Sequence, residues 1–182
     1  MNISKTFYPK SREEWRSWLL KNYKTEKDIW LVHYKKASGK YSLPYDDAVE
    51  EALCFGWIDS SVKGLDEDGR AQRYTPRREK SPISALNKER LRRLIKQGKV
   101  IPEILTKIQT ELKMEFKFPK DILNEIKKDK QTWENFNKFP KYYQVIRIAF
   151  VEDARKRPEM FKQRLVYFLK MTAKNKRFGM MQ

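Results

Sequence analysis

The sequence predicts an α+β protein in two parts. A small antiparallel sheet packed by helices occupies residues 1–116, and an all-helical unit follows over residues 117–182. Three observations carry that reading. Strand-length runs rich in branched and aromatic residues occur at Ile29–Lys35 and on either side of a turn cluster, Gly64-Leu65-Asp66-Glu67-Asp68-Gly69. Past Lys117 every patterned segment repeats its apolar residues at helical spacing. Between the two lies the weakly patterned K-M-E-F-K-F-P-K, where neither period holds. With 182 residues, 40% of them hydrophobic and 13% aromatic, the chain can bury a core in spite of its 36% charged residues.

The first helix spans about Arg12 to Asn22. Ser11 and Glu14 form a capping box there, and Trp15, Trp18 and Leu19 share one face. Ile29–Lys35 alternates as a strand, with Trp30, Val32 and Tyr34 on one face and Ile29, Leu31 and His33 on the other. Ser38-Gly39-Lys40 is a turn. The next helix begins near Pro44, with Asp46 and Asp47 beside the positive end of its dipole. Gly56 stops it, because glycine accepts the left-handed conformation that closes a helix. Trp57–Val62 and Arg70–Thr75 then pair as a hairpin, which Pro76 ends for want of an N–H. Ser81 caps a helix with Pro82 in its first turn, running to Gln97 and closed by Gly98. Pro102 to about Leu112 is a further helix. Beyond Lys117 come Pro119–Lys128, Gln131–Lys138, Pro140–Ala154 and Pro158–Lys174, three of which open on proline. Ile146, Ala149, Phe150, Phe161, Leu165, Phe168 and Leu169 form the expected core of the last pair.

His33 is the only histidine and Cys54 the only cysteine, which removes most catalytic chemistry. A zinc site needs about four ligands of these types. A Ser/His/Asp relay would have to bring His33 beside Ser60 and Asp59, and nothing in the spacing demands it. The acidic run Asp66-Glu67-Asp68 lacks the closing glutamate of a calcium loop and reads as a hairpin tip. No glycine-rich phosphate loop is present, so neither metal nor cofactor is expected. Cys54 lies in an apolar run as a small buried hydrophobe, and a lone cysteine fits a reducing compartment. The first ten residues lack the apolar core of a leader, and no stretch approaches the roughly eighteen apolar residues of a membrane span. The chain reads as cytoplasmic.

What remains is basic and aromatic. The net charge is +17, which attracts polyanions generally. Eleven lysines and arginines stand against Glu79 and Glu89 between Arg70 and Lys99. Nine stand against Glu159 between Arg155 and Arg177, a run that reads as a solvated helical face. The stretch Leu53–Asn87 gathers Trp57, Asp59, Arg73, Arg77, Arg78, Ser81, Ser84 and Asn87 into a hairpin and two helix ends. Arg77 and Arg78 can hold carboxylate or phosphate in two places at once, beside the donors of a helix N-terminus at Ser81–Ser84. The alternative is that Arg73 and Arg77 pair internally with Asp59 and fix the hairpin. Both readings stand at this level.

The run A-V-E-E-A-L-C-F-G-W-I-D-S, Ala48–Ser60, together with R-Y-T-P-R-R-E-K-S-P-I-S-A-L-N, Arg73–Asn87, resembles the YdeI/OmpD-associated family of bacterial proteins, also labelled bacteriocin-protection proteins. Tyr142-Tyr143, the stretch Phe150–Lys156 and Arg164 are similar to that family's second module. Ile83 stands where the family usually carries tryptophan. The resemblance implies an α+β N-terminal unit, a helical C-terminal one, and a loose tie to stress and antimicrobial-peptide resistance.

The leading functional reading is a non-enzymatic binding protein that uses the Trp57–Asn87 region for an anionic ligand or a protein partner. Non-specific nucleic-acid binding through the basic surface is the first alternative, and an enzyme of unknown class using Asp59 with arginines the second. Nothing in the sequence speaks to oligomeric state.

Overall fold

In the computed structural model, which describes residues 3–78 and 81–180, the chain divides into two units. Met1–Ile83 with Arg90–Leu112 form the first, and Ser84–Glu89 with Lys113–Gln182 the second. The first is an α+β unit and the second contains only helices. Glu79 and Lys80, counted above in the basic run, lie outside the described residues.

The first unit opens with strand β1, Thr6–Phe7, then helix α1, Arg12–Asn22. Ser11 Oγ accepts from the Glu14 N–H (3.2 Å), as the capping box requires. Glu14 reaches back one residue further than expected, to the Lys10 N–H (2.5 Å). Strand β2, Ile29–Tyr34, leads through a short helical turn at Lys36–Ser38 to helix α2, Tyr45–Cys54. Gly56 ends that helix in the left-handed region (φ +73°). Strands β3, Trp57–Gly64, and β4, Gly69–Pro76, form the hairpin. Its tip is an Asx turn in which Asp66 Oδ1 accepts from the N–H groups of Asp68 (3.0 Å) and Gly69 (2.5 Å).

The sheet order is β1-β2-β4-β3. β2–β4 and β4–β3 are antiparallel as expected, with an irregularity between Asp59 and Val62. β1 is the difference: it adds a two-residue parallel edge, with the Trp30 N–H donating to the Lys5 carbonyl (2.9 Å). Ile29 and Leu31 face the core together with Trp57 and Tyr74, where Trp15, Leu19, Val49 and Leu53 pack on them. Helices α3, Ala85–Lys96, and α4, Pro102–Lys113, add Leu91, Leu94, Ile104 and Ile108 to that core.

Helix α3 starts later than the Ser81 cap predicted. Ser84 is its cap, accepting from the Asn87 N–H (3.3 Å). The reason lies in the preceding turn. The Ser81 carbonyl accepts from the Arg77 guanidinium, and the Ile83 N–H donates to Glu111 Oε1 (2.5 Å). Both backbone groups are satisfied outside the helix, so it gains nothing by starting earlier.

In the second unit, helices α5, Lys120–Lys127, α6, Lys130–Lys138, α7, Lys141–Glu152, and α8, Pro158–Ala173, surround Ile122, Ile126, Phe136, Ile148, Val151 and Phe168. Buried amides close helix ends here. Gln144 donates to the carbonyls of Phe136 (3.0 Å) and Phe139 (2.9 Å), and Asn135 to those of Thr172 and Ala173 (both 3.0 Å). Phe150, expected in the core, is instead 43% exposed. No strand follows residue 117 among the described residues.

Candidate functional site

The first unit holds a cleft of about 450 Å³ where α1, the α2–β3 turn, the end of β4 and α4 meet. Its base is the turn at Gly56. The Gly56 carbonyl accepts from the Arg77 N–H (2.9 Å), and the Cys54 carbonyl from the Ile101 N–H (3.3 Å). A Cβ on Gly56 would lie 2.7 Å from Ile104 Cδ1, so a glycine is what lets α4 close on the turn. Trp57 is 1% exposed; its indole N–H donates to the Tyr23 carbonyl (3.1 Å) and its ring meets Trp18 edge-on at 5.8 Å. It fixes the end of α1 and thereby places Tyr23 and Lys24 at the mouth.

The polar lining is cationic around one carboxylate. Lys24 and Lys107 each pair with Glu103 at 2.9 Å, and the Tyr23 hydroxyl donates to it (3.2 Å). Hydrogen bonds from Lys107 and then Lys24 draw the Glu103 carboxyl down to about 2. Arg77 pairs with Glu111 (3.5 Å) while holding the Ser81 carbonyl. Phe55, Ile104 and Ile108 supply the apolar walls.

Of the residues singled out from sequence, Trp57 and Arg77 line this cleft. Asp59 turns inward and accepts from the Tyr45 hydroxyl (3.1 Å) and the Gln72 amide (2.9 Å). Burial first, and the Asp59 charge second, push the Tyr45 phenol up to about 12. Arg73 sits at another register position and pairs with Asp28 through Nε (2.9 Å) and Nη2 (2.5 Å). Burial works against ionisation of Asp28, but the bonds from Arg73 and Ser4 outweigh it and lower its pKa. Arg78 and Ser81 are exposed, while Ser84 and Asn87 form the start of α3. Asp59 therefore pairs with neither Arg73 nor Arg77.

The relay residues also stand apart. His33 contacts the Leu43 carbonyl through Nδ1 (3.2 Å), and Ser60 donates to the Arg73 carbonyl (3.3 Å). Burial and then the Arg70 charge hold the imidazole below its ordinary pKa. Cys54 is fully buried, which pushes its thiol up to about 11. Among the described residues no group of three His, Cys, Asp or Glu could hold a metal ion. No described helix is long and apolar enough to cross a membrane.

Sequence reasoning missed a charge network on α2. Arg12 binds Asp47 (2.5 Å), Glu50 (3.1 Å) and Glu51 (2.6 Å), and Arg16 adds a bond to Glu51 (2.7 Å). Arg93 pairs with Glu50 and Arg90 with Asp46. The available signal was Glu50-Glu51 between the apolar pairs Ala48-Val49 and Ala52-Leu53, since buried carboxylates require partners.

Fold and site together describe a two-unit α+β protein with a cationic cleft in its first unit. The chain belongs to the family of a domain of unknown function (DUF8412), which matches residues 7–107. Residues 115–175 match the family described as bacteriocin-protection, YdeI or OmpD-associated, the one the sequence resembles. That match falls on the helical segment. The motif stretches Ala48–Ser60 and Arg73–Asn87 fall within the first match instead. No curated protein and no solved structure gives a match.

Proposed function

We propose that this chain is a binding protein whose first unit takes a small anion with an apolar body in the cleft on Gly56, Trp57 and Arg77. One observation carries the reading: three cations, Lys24, Arg77 and Lys107, line the cleft with the single carboxylate of Glu103, beside walls of Phe55, Ile104 and Ile108. An incoming anion shares Lys24 and Lys107 with Glu103, while its apolar part leaves water against the walls. Cations beside apolar side chains form a set suited to holding an anion with an apolar body. The name of the second family, bacteriocin protection, supports reading this binding as part of resistance to antimicrobial peptides. The lone buried cysteine is in keeping with a reducing, cytoplasmic location.

The test is titration with phenyl phosphate at about 0.15 M salt, followed by tryptophan fluorescence and melting temperature. Saturable stabilisation is expected, and Lys24→Ala/Lys107→Ala should abolish it with little change in the unliganded protein, since both lysines are largely exposed. A flat titration sinks the reading. Oligonucleotides should bind weakly and leave as salt rises. In the Arg70–Lys99 run, Arg73, Arg77, Arg90 and Arg93 are already paired with Asp28, Glu111, Asp46 and Glu50, which reduces the charge left for a backbone.

A further inference from the structure

Arg147 on α7 is a buried cation of a different kind. It is 6% exposed, yet among the described residues it makes no hydrogen bond and no ion pair, and its Nε is buried without a partner. Other buried charged side chains are matched: Glu50 and Glu51 by Arg12, Arg16 and Arg93, and Arg90 by Asp46. What surrounds Arg147 is aromatic. Its guanidinium carbon lies 5.6 Å from the Tyr143 ring, 5.7 Å from Phe150 and 5.2 Å from Phe178. Tyr143 and Phe150 flank Arg147 on one helix face, four residues before it and three after, so α7 itself builds two of the walls.

The third wall is locked from the C-terminal segment. The Phe178 N–H donates to the Tyr143 hydroxyl oxygen (2.8 Å), that hydroxyl donates to the Phe178 carbonyl (3.4 Å), and Tyr167 meets the Phe178 ring edge-on at 4.9 Å. Gly179 follows in the left-handed region (φ +76°), and a Cβ there would overlap Arg147 Nη1 and lie 3.3 Å from Nη2. Nη1 therefore packs directly against the Gly179 backbone, in the place a side chain would take. Two more cations stand close by: Arg177, near the Tyr142 hydroxyl (3.5 Å), and Arg164, stacked over Phe150 at 3.8 Å.

Rings stabilise a cation but leave its N–H groups unanswered, and a buried donor without an acceptor is costly. Burial accordingly lowers the Arg147 pKa, with Tyr143 acting in the opposite direction. A fold retains such a group where something supplies the acceptor, and the planar fork of arginine fits an oxoanion with two adjacent oxygens. We propose that Arg147 is the receptor for an oxoanion, the carboxylate or phosphate group of a small molecule, which takes the guanidinium fork. The aromatic walls hold the fork in one orientation beforehand, so binding loses little side-chain freedom. This site is separate from the cleft of the first unit.

The experiment uses the full chain with two probes, inorganic phosphate and acetate, at constant ionic strength. Melting temperature and the Arg147 Nε–H resonance are followed in the wild type, Arg147→Met, Gly179→Ala and Lys24→Ala/Lys107→Ala. At least one probe should raise the wild-type melting temperature saturably and shift that resonance. The preferred probe then names the source, phosphate or carboxylate. Arg147→Met should lose the thermal shift while melting no lower than the wild type without anion. Gly179→Ala strains the backbone there and puts a methyl group where Nη1 lies, so it should displace the guanidinium and weaken binding at least tenfold. Lys24→Ala/Lys107→Ala should keep the shift. Absence of a saturable shift with either probe overturns the proposal, as does a shift that survives in Arg147→Met.

Discussion

Two sets of charges around buried side chains in this chain are arranged in opposite ways. On α2, Asp46, Asp47, Glu50 and Glu51 meet Arg12, Arg16, Arg90 and Arg93, and each charge finds its counterpart within the unit. On α7, Arg147 is as deeply buried as Glu50, yet only rings surround it. A closed network holds helices in register and makes each member expensive to remove. An open charge makes no ion pair and keeps its hydrogen-bonding capacity for something else. The cleft around Glu103 lies between these extremes, since its ion pairs are complete but exposed.

The comparison breaks most visibly at Glu51, whose side chain is 3% exposed and serves both Arg12 and Arg16. Glu51→Ala leaves Arg12 with Asp47 and Glu50 and Arg16 with the Lys99 carbonyl, and the lost charged hydrogen bonds should cost roughly 1.5–3 kcal/mol in urea denaturation of the first unit. A loss under about 1 kcal/mol would mean that the network only decorates the fold. Arg77→Ala removes one ion pair and one bond to the Ser81 carbonyl, for about 1–2 kcal/mol. The same measurement on Arg147→Met should show no loss, because a cation without an acceptor gives way to an apolar group of similar length. A destabilisation as large as that of Glu51→Ala would erase the distinction between closed and open charges.

The smallest effect belongs to pH. The folded pKa of Glu103, about 2, lies below its ordinary value of 4.5, so its contribution is present above 4.5 and fades as pH falls toward 2. In Glu103→Gln that part of the acid limb should flatten, which a melting series between those two pH values will show. An unchanged acid limb would mean that the exposed lysine pairs do not register in stability.

The parts legible in the sequence were those decided locally. Ser11 and Glu14, the stop at Gly56 and the turn at Asp66–Gly69 each depend on neighbours within a few residues, and each formed. Strand β1 was not legible, because two residues carry no period and their pairing depends on Trp30, far along the chain. The α3 start misled for a related reason: Ser81 and Ser84 both suit a cap, and the choice rests on Arg77 and Glu111. The site behaved likewise. Trp57 and Arg77 stand out by type, whereas Lys24, Glu103 and Lys107 are ordinary surface residues until α1 and α4 bring them together. Asp59 was drawn toward arginine by charge alone, while Tyr45 and Gln72 reached it by fold. Arg147 lay within a helix pattern, and no sequence signal separates an unanswered arginine from a solvated one.

Cys54 gives the molecule a clock. Its thiol is shut inside the first unit and, with a pKa pushed up to about 11, stays protonated at neutral pH. An alkylating reagent therefore waits for that unit to open, and the labelling rate counts the openings. The second unit has no thiol and is silent in the same assay. Labelling followed beside a whole-chain spectroscopic melt then times one half of the protein against the other, without a single residue having been changed.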